Sequence, residues 1–326
     1  MLSDSIEADK VVEVAAAVLQ KSDGSFLLAQ RPADKIWAGY WEFPGGKVEA
    51  GETPRHALVR ELREELGITV QTAYPWLTRV YTYPHATVQL NFFRVTQWQG
   101  ELHPHEGQQF SWQSPTPTLL RREREKISVT PMLPANAPIL RALQLPFLYA
   151  ISNVQELGEQ EFMMRLHASL DKGLRLVQLR EKTLARKALR DLALRMLPVL
   201  RQHDAKLLIN ADIELACEVG AHGVHLNSTQ LSSLDARPDV AWCAASCHNS
   251  EELNRAVELG VDFAVVSPVL PTLSHPGEAS LGWENFAAIV AGSPIPVYAL
   301  GGLRLDDMET GWQRGAHGIA LLRQAW

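Results

Sequence analysis

Cysteine is scarce in this chain, with only Cys217, Cys243 and Cys247 among 326 residues. Three thiols are too few for a disulfide framework, so a reducing compartment is expected. Apolar runs long enough to cross a bilayer, about 18–20 residues, are also lacking. The acidic first ten residues contain no basic segment followed by an apolar core, so no signal peptide is expected. These absences predict a cytoplasmic protein without a membrane segment.

Excess positive charge is lacking as well. The net charge of −6 argues against binding along a nucleic-acid backbone and suits an enzyme for a small molecule. The run RREREK at 121–126 has interleaved signs, which favours a solvated surface over a phosphate-steering patch. Cys243, Cys247 and His248 could suggest zinc. Three side chains at one strand end do not readily close a tetrahedron, so buried thiols are expected.

Residues 54–66, PRHALVRELREEL, predict a helix of about three turns. Thr53 suits the N-cap, Pro54 the first helical position and Gly67 the C-terminal stop. Four apolar side chains fall on one arc and are expected to face a core: Leu58, Val59, Leu62 and Leu66. Three carboxylates share a different arc, with Ala57 the only apolar residue among them: Glu61, Glu64 and Glu65.

Carboxylates at positions i, i+3 and i+4 repel one another and weaken an unliganded helix by a few tenths of a kcal/mol per pair. A divalent cation reverses that effect, and Mg²⁺ or Mn²⁺ prefers such hard oxygen ligands. A glutamate-rich helix is more commonly a solvated face. The spacing argues against that here, because the pair Gly45–Gly46 and the acid Glu52 precede the cluster in one register.

This stretch resembles the Nudix box, G-x5-E-x7-R-E-U-x-E-E-x-G-U with U apolar, at every defined position. The matching residues are Gly46, Glu52, Arg60, Glu61, Leu62, Glu64, Glu65, Gly67 and Ile68. The resemblance implies the Nudix α/β/α sandwich over residues 1–145. Alternation of apolar residues predicts strands at Val11–Leu19, Phe26–Gln30, Val80–Tyr83 and Thr87–Val95, and a last helix near Ala137–Leu143.

A narrower resemblance is to the MutT-type enzymes, the 8-oxo-dGTP diphosphatases. It rests on WEFPGGKVEAGET at Trp41–Thr53 and on PANAP at Pro134–Pro138. In that family an asparagine at the position of Asn136 reads the oxidised purine. One carboxamide offers both the acceptor and the donor that N7–H and O6 of 8-oxoguanine require. An asparagine before a helix is otherwise a common cap.

The same resemblance implies further site residues. Arg31 and Phe43 match positions that line the base pocket, although Phe43 alone would be assigned to core packing. Glu106, in the segment HEGQ, matches an acid that approaches the metal site, with plain surface exposure as its alternative. The best-known MutT-type enzyme has an arginine where this chain has Ala86, which weakens the expected grip on the nucleotide and leaves the metal chemistry unchanged.

The implied reaction is hydrolysis of a nucleoside triphosphate at the β-phosphorus, giving the monophosphate and pyrophosphate. Mg²⁺ or Mn²⁺ is the expected cofactor. Its ligands are expected from Gly45 through its carbonyl and from Glu61, Glu64, Glu65 and Glu106. Arg60 is expected to orient the glutamates by a salt bridge rather than to touch substrate. Which glutamate acts as the base stays open.

From about Pro146 the pattern changes to short apolar runs, mostly separated by stretches long enough for crossover helices. The eight runs are Phe147–Ser152, Leu174–Leu179, Lys206–Ile209, Gly223–Leu226, Trp242–Ser246, Phe263–Ser267, Pro296–Leu300 and Gly318–Leu322. They predict a parallel, compact (β/α)8 barrel of the TIM type over residues 146–326. Only 323–326 follow the last run, so its helix is expected to be missing. The first domain or a second copy, in a homodimer through the barrel, would then cover that flank.

Five motifs resemble the thiamine-phosphate synthase/TenI family: VQLREK at Val177–Lys182, INAD at Ile209–Asp212, GVHL at Gly223–Leu226, SPVLPT at Ser267–Thr272 and ALGGL at Ala299–Leu303. Barrel active sites form at the C-terminal strand ends. A phosphorylated, thiamine-phosphate-like ligand is therefore expected at Arg180, Lys182, Asn210, Ser246, Gly301 and Gly302. The glycine pair could hold phosphate with backbone amides, or could simply form a turn.

Departures from the synthase pattern limit what the barrel can do. Ala211 and Gln230 stand where the family has metal-binding aspartates, and His275 replaces a lysine. Without both carboxylates the Mg²⁺–diphosphate site is lost, so synthase activity is not expected. The catalytic histidine of TenI-type tautomerases would fall at Pro268, and only Glu181 remains of that pair. A phosphate-ligand domain is expected, either non-catalytic or with an unassigned activity.

Three functional hypotheses follow from these resemblances. The leading one is hydrolysis of 8-oxo-dGTP by residues 1–145, which would sanitise the nucleotide pool. A second keeps the Nudix chemistry but acts on a thiamine-pathway pyrophosphate, and Asn136 argues against it because a pyrimidine has no matching purine edge. A third makes the barrel a ligand sensor that regulates or stabilises the hydrolase.

Overall fold

The computed structural model describes residues 11–114, 129–272 and 279–326, which form two compact units. The first unit comprises the chain up to Gln144 together with Gly292–Pro294, and the second comprises Leu145–Ala291 and Ile295–Trp326. The charged run at 121–126 and His275, both considered above, lie outside the described residues. Within the described ranges, no helix is both long and apolar enough to cross a membrane.

The first unit is a mixed α/β domain. Its elements are β1 Val12–Leu19, β2 Phe26–Gln30, β3 Trp41–Glu42, β4 Gly45–Lys47, α1 Pro54–Leu66, β5 Thr69–Tyr83, β6 Ala86–Gln99, β7 Phe110–Gln113 and α2 Ala137–Ala142. A four-stranded sheet has the order β4-β1-β6-β5, and a three-stranded sheet has the order β3-β2-β7. Strand β1 runs parallel to β6 and antiparallel to β4.

Both faces of β1 are buried, which builds the domain in layers. Ala15, Ala17 and Leu19 join the core beneath α1. Ala16 and Val18, pointing the other way as strand geometry requires, join the core beneath α2. The α/β/α sandwich predicted from the sequence is confirmed.

Strands β5 and β6 are much longer than predicted. They form a hairpin from Thr69 to Gln99, whereas the alternation of apolar residues indicated only 80–83 and 87–95. Strand β5 lies at the sheet edge and its pairing with β6 shifts register at three places. A strand at the sheet edge tolerates a proline such as Pro75. The bulges interrupt the alternation of apolar and polar residues on which the prediction depended.

Helix α1 begins and ends where its caps predicted. The Thr53 side chain accepts from the His56 amide, and Gly67 adopts the left-handed conformation at φ 70°. Leu58, Leu62 and Leu66 are fully buried as predicted. The prediction of which side chains face the core was wrong at two positions, because Val59 is only half-buried and Ala57 is fully buried. The helix contacts both β1 and β4, so its buried arc is displaced toward Ala57, whose small side chain permits a close approach.

The second unit is a closed parallel barrel, as predicted. Its strands follow chain order and close on themselves: β8 Leu148–Ile151, β9 Leu176–Leu179, β10 Lys206–Asn210, β11 Gly223–Leu226, β12 Trp242–Cys247, β13 Phe263–Val266, β14 Val297–Leu300 and β15 Gly318–Leu321. The helices are α3 Val154–Leu157, α4 Glu159–Asp171, α5 Arg186–Gln202, α6 Ile213–Val219, α7 Ser228–Ser233, α8 Ser250–Leu259, α9 Gly282–Val290 and α10 Met308–Gln313.

The cysteines have the environment expected of structural thiols. Cys243 and Cys247 on β12 are fully buried, and burial raises the pKa of each thiol to about 12. Cys217 is exposed. The interpretation of Cys243 and Cys247 as buried thiols agrees with this environment.

Candidate active site

The loop around Glu106 closes the C-terminal end of α1. The His105 amide donates to the Glu65 carbonyl at 3.1 Å, and the Gln108 side chain donates to the same oxygen at 3.2 Å. The last carbonyls of a helix have no partner within it, so these bonds fix the loop to the helix end. They bring Glu106 near the carboxylate face of α1.

Arg60 is the centre of an ion-pair network that joins α1 to the loop before it. Its guanidinium donates to Glu52 at 2.9 Å, to Glu61 at 2.8 Å, to Glu64 at 3.3 Å and to the Lys47 carbonyl at 3.0 Å. These contacts raise the pKa of Arg60, and the hydrogen bond from Arg60 lowers the pKa of Glu52. Arg60 therefore holds three carboxylates on one side of the helix.

Whereas Glu52, Glu61 and Glu64 pair with the positive charge of Arg60, Glu65 has other carboxylates around it. Burial, and after it the nearby carboxylates of Glu61, Glu106 and Glu42, together raise the pKa of Glu65 to about 8. The Gly45 amide donates to Glu65 at 3.2 Å. In the absence of a cation, a carboxyl group in such surroundings keeps its proton at neutral pH.

The donors on this face fit a Mg²⁺ or Mn²⁺ ion in chemical kind, because all are hard oxygens and one is strongly repelled by its neighbours. They do not already enclose one. Across 11–114, 129–272 and 279–326, no three His, Cys, Asp or Glu side chains form a group that could hold an ion. Arg60 holds Glu61 and Glu64, and Glu106 lies 3.6 Å from Lys35. Each of these ion pairs uses one oxygen of its carboxylate, so the other oxygen can face an ion while the pair persists.

Gly46 leaves the space that the Glu61 carboxylate occupies. A Cβ atom at position 46 would lie 2.2 Å from Glu61 Cδ. We expect Gly46→Ala to displace Glu61. The kcat of the nucleotide hydrolysis that the Nudix resemblance implies should then fall by about 10–100-fold, the range for loss of a group that orients a metal ligand. Steady-state kinetics and a melting curve together measure this.

The control for Gly46→Ala is Gly51→Ala, in the loop between β4 and α1. Gly51 has φ +82° and open space around its Cβ position, so this change strains the backbone without touching a carboxylate. It should cost stability and leave kcat unchanged. Equal losses of kcat in the two variants would contradict the role given to the space at Gly46.

A second ion pair lies on β3 and the loop that precedes it. Arg31 Nη1 donates to both oxygens of Glu42, at 2.6 and 2.7 Å, and Arg31 Nε donates to the Ile36 carbonyl at 2.7 Å. Burial raises the pKa of Glu42 even though Arg31 opposes it. Arg31 was predicted to line the base pocket, whereas Glu42, which holds it, was missed although it lies inside the quoted motif.

An aromatic group, Trp37, Tyr40, Tyr81 and Tyr83, gathers beside this pair. Trp37 lies 4.9 Å from Tyr40 and 6.1 Å from Tyr83 between ring centroids, and Tyr81 lies 4.6 Å from Tyr83. The Trp37 indole Nε1 is buried and has no hydrogen-bond partner in the described chain. The Tyr83 hydroxyl forms a hydrogen bond with the backbone of Ala135, and burial raises the pKa of Tyr83. No sequence motif marks this group.

Asn136 adjoins the aromatic group through Ala135. It is only 4% exposed, and it stands at the N-cap position of α2 without a capping hydrogen bond from its side chain. Its carboxamide nitrogen lies 3.9 Å from the Met132 sulfur. Backbone bonds tie this segment to β3, since the Leu133 amide donates to the Trp41 carbonyl at 3.0 Å.

Phe43 occupies a core position. It is 4% exposed and its ring packs 5.9 Å from Phe26 and 5.7 Å from Phe92. The structure thus places Phe43 in the core beneath α2, which is the alternative that the sequence offered to a base-pocket role.

The barrel contains a cavity of about 580 Å³ at the C-terminal ends of its strands. All six residues predicted from the motifs line it: Arg180, Lys182, Asn210, Ser246, Gly301 and Gly302. Burial lowers the pKa of Arg180, and the charge of Arg180, followed by burial, lowers the pKa of Lys182. Two neighbouring cations at its wall suit the cavity to an anionic ligand.

The positions that depart from the synthase pattern are used for internal structure. The Gln230 side chain donates to the Ala211 carbonyl at 2.7 Å, and Ala211 has φ 60°.

Glu181 is 7% exposed and accepts from the Ser152 hydroxyl at 2.6 Å and the Val154 amide at 2.9 Å. Glu181 therefore anchors the loop after β8 and does not line the cavity.

The glycine pair has a local structural requirement. A Cβ at Gly301 would lie 2.8 Å from Pro268 Cα, and a Cβ at Gly302 would lie 2.4 Å from the Pro271 carbonyl oxygen. Both residues also have positive φ. A turn with close chain approach explains the pair by itself, and a phosphate-binding role stays a prediction.

Comparison with known proteins agrees with this two-part architecture. The NUDIX domain model matches residues 15–126, and the Thiamine monophosphate synthase model matches residues 148–325. The "Putative thiamine-phosphate synthase 2" of Aquifex aeolicus is 36% identical over 180 residues, covering 55% of this chain and 96% of that protein.

Two relatives match the first unit. The "CTP pyrophosphohydrolase" of Escherichia coli is 41% identical over 133 residues, covering 41% of this chain and 91% of that protein. The "8-oxo-dGTP diphosphatase" of Proteus vulgaris is 42% identical over 98 residues, covering 30% of this chain and 88% of that protein. The chain therefore belongs to the Nudix hydrolase family through its first domain and to the thiamine monophosphate synthase family through its second.

Proposed function

We propose that the first domain hydrolyses 8-oxo-dGTP to 8-oxo-dGMP and pyrophosphate in the cytoplasm. The observation that carries this proposal is the buried carboxamide of Asn136, which is 4% exposed and is not used as a helix cap. A buried polar side chain without a capping role, beside an aromatic group, is suited to reading a base edge. The Nudix relatives named 8-oxo-dGTP diphosphatase support the same substrate.

Selectivity follows from the hydrogen bonds that each base can offer. The carboxamide of Asn136 can accept from N7–H and donate to O6 of 8-oxoguanine, whereas guanine has no proton at N7. With guanine bound, the Asn136 oxygen would lose its partner in a water-poor site. An unpaired buried group costs about 1–3 kcal/mol, so rejection of dGTP comes from this cost.

At the other end of the substrate, the carboxylates of α1 and its neighbouring loop act on the triphosphate. Glu61, Glu64, Glu65 and Glu106 would hold a divalent ion. The ion would supply charge neutralisation for the phosphoryl oxygens. Arg60 keeps Glu61 and Glu64 aligned through its ion pairs. A carboxylate released from Arg60 could take a proton from the attacking water, since a free carboxylate can act as a general base.

A second candidate substrate is a cytidine triphosphate. One observation favours it: the 41% identity to the CTP pyrophosphohydrolase over 91% of that protein. The smaller pyrimidine would leave the Asn136 carboxamide without the purine edge. The two substrates therefore make different demands on Asn136.

Release of pyrophosphate from the triphosphates, and of inorganic phosphate from the pyrimidine diphosphate, separates these substrates. Wild type and Asn136→Ala are assayed with Mg²⁺ on 8-oxo-dGTP, dGTP, CTP and a hydroxymethylpyrimidine diphosphate. We expect wild type to prefer 8-oxo-dGTP, and Asn136→Ala to lower the 8-oxo-dGTP/dGTP ratio of kcat/KM by about 10–100-fold. The ratio should fall mainly through loss of 8-oxo-dGTP turnover.

Met132→Leu is the matched control, because it removes the sulfur near Asn136 and keeps an apolar side chain of similar size. It should retain the wild-type ratio. Faster turnover of CTP with no effect of Asn136→Ala would replace 8-oxo-dGTP by a cytidine nucleotide. Faster turnover of the pyrimidine diphosphate would assign the domain to the thiamine-pathway substrate.

A further inference from the structure

The side chain of Gln108 lies inside the first domain and connects two backbone groups that are distant in sequence. Gln108 is 7% exposed, whereas the nearby Glu106 side chain is 42% exposed. Gln108 Oε1 accepts from the Glu106 amide at 2.9 Å, and Gln108 Nε2 donates to the Glu65 carbonyl at 3.2 Å. One buried carboxamide therefore joins the loop that carries Glu106 to the last turn of α1, which carries Glu65.

Gln108 has the chemical type that both hydrogen bonds require. The Glu106 amide needs an acceptor, and the Glu65 carbonyl needs a donor. A carboxylate at position 108 would accept without donating, and an ammonium group would donate without accepting. The two partners thereby fix the orientation of the Gln108 carboxamide, with its oxygen toward Glu106 and its nitrogen toward Glu65.

The residues just before Glu106 are bonded to the same end of α1. The His103 amide donates to the Leu66 carbonyl at 3.0 Å, and the His105 amide donates to the Glu65 carbonyl at 3.1 Å. His105 Nδ1 lies 3.2 Å from the Glu64 carbonyl. These bonds hold residues 103–105 on the helix end, and the bond from the Glu106 amide to Gln108 extends that hold to residue 106.

Glu106 is close enough to Glu65 for their charges to interact. Burial is the largest cause of the raised pKa of Glu65, and the carboxylates of Glu61 and then Glu106 add to it. Two carboxylates that repel one another need a constraint to stay together. Gln108 supplies one, because its two hydrogen bonds run between the backbones of Glu65 and Glu106.

We propose that Gln108 is a positioning residue for a divalent ion, because it holds the backbone of Glu106 against the end of α1. This role rests on the proposed function, in which Glu65 and Glu106 bind that ion. Gln108 acts through Glu106 and not by contact with the ion or the nucleotide. It restricts the positions that the Glu106 carboxylate can take, so the ion is bound more tightly than by a carboxylate on an untethered loop.

Binding of Mn²⁺ to the full chain measures this role without any substrate, through the electron paramagnetic resonance signal of the free ion. Gln108→Met keeps a side chain of similar length and removes both hydrogen bonds. We expect it to weaken Mn²⁺ binding by about 10–100-fold, the range for loss of a group that orients a metal ligand. Gln109→Met is the matched control, because Gln109 is the next residue and is exposed. It should bind Mn²⁺ as wild type does.

Combination with Glu106→Gln separates positioning from a general loss of stability. If Gln108 acts through Glu106, Gln108→Met should weaken Mn²⁺ binding little further once Glu106→Gln is present. The melting temperature of the metal-free chain should instead fall equally in both backgrounds, because both bonds go to backbone groups that Glu106→Gln retains. Independent effects of the two substitutions on Mn²⁺ binding would overturn the proposal.

A shorter side chain provides a second test if Gln108→Met does not fold. Gln108→Asn keeps the carboxamide but is one methylene shorter, so we expect it to lose one of the two bonds. Its Mn²⁺ affinity should fall in the same direction, and again only while Glu106 is present. Wild-type affinity in Gln108→Asn, or in Glu106→Gln alone, would contradict the role of Gln108.

Hydrolysis assays on the same variants distinguish this role from the proposed substrate. Weaker Mn²⁺ binding by Gln108→Met in a chain that does not hydrolyse 8-oxo-dGTP would support the role of Gln108 and overturn the substrate. Hydrolysis of 8-oxo-dGTP by wild type, with unchanged Mn²⁺ affinity in Gln108→Met, would do the reverse. Failure of the wild type to bind Mn²⁺ would overturn the role of Gln108.

Discussion

Glu65→Gln is expected to lower nucleotide hydrolysis by on the order of a hundred- to a thousandfold and, at the same time, to stabilise the metal-free protein. The loss of activity follows because a neutral amide is a poor ligand for a hard cation. The gain in stability follows because Glu65 is buried among the carboxylates of Glu61, Glu106 and Glu42. A glutamine is neutral without taking up a proton, so it avoids the free-energy cost of protonating the carboxylate and keeps a similar volume.

The pH dependence of stability has a definite sign. Burial and the neighbouring carboxylates together raise the pKa of Glu65 from 4.5 to about 8. Between those values the folded protein binds more protons than the unfolded chain, so the free energy of unfolding decreases as pH rises. We therefore expect the melting temperature of the metal-free first domain to fall from pH 5 to pH 8. In Glu65→Gln the fall should be smaller.

Melting curves across this pH range, with and without Mg²⁺, measure the effect. Mg²⁺ should stabilise wild type more at pH 8 than at pH 6, because binding requires the deprotonated carboxylate. A change of about 1 kcal/mol moves the midpoint by roughly 2–4 °C in a domain of this size. Glu101→Gln is the charge-matched control, since its side chain is 91% exposed. A metal-free Glu65→Gln that melts below wild type would contradict the account of Glu65.

The part of this site that the sequence could predict is the part set by local geometry. The spacing of Glu61, Glu64 and Glu65 on one helix decides which face they share, and Thr53 and Gly67 decide where that helix begins and ends. Spacing also predicted all eight barrel strands, because a parallel barrel repeats one local unit. None of this required knowledge of long-range pairing.

The parts that were missed depend on pairing between distant segments. Glu42 meets Arg31 only because β2 and β3 are adjacent, and Tyr83 reaches Ala135 only through the extended hairpin of β5 and β6. Trp37 belongs to a turn with φ 65°, a conformation that no apolar periodicity indicates. The hydrogen-bonded side chains of Gln178, Tyr149, His225 and Ser246 come from four barrel strands, so no short sequence window contains them. Functional chemistry assembled across elements is therefore less visible in sequence than chemistry on one helix.

Arg60→Met is expected to change stability in the direction opposite to Glu65→Gln, although both residues belong to one cluster. Removing the guanidinium leaves Glu52, Glu61 and Glu64 without their shared counter-ion. The metal-free domain should melt lower than wild type, and Mg²⁺ should recover part of the loss by neutralising the same carboxylates. Activity should fall by about 10–100-fold, the range for loss of a residue that orients metal ligands.

Two further variants identify what Arg60 contributes. Arg60→Lys keeps the positive charge but cannot donate to three carboxylates and the Lys47 carbonyl at once, so it should recover stability more than activity. Arg63→Met, on the exposed side of the same helix, should change neither. Equal activity in Arg60→Lys and wild type would show that charge alone suffices. Opposite shifts in melting temperature for Glu65→Gln and Arg60→Met would show that Arg60 acts as the internal counter-ion of a face whose excess negative charge is suited to binding a metal.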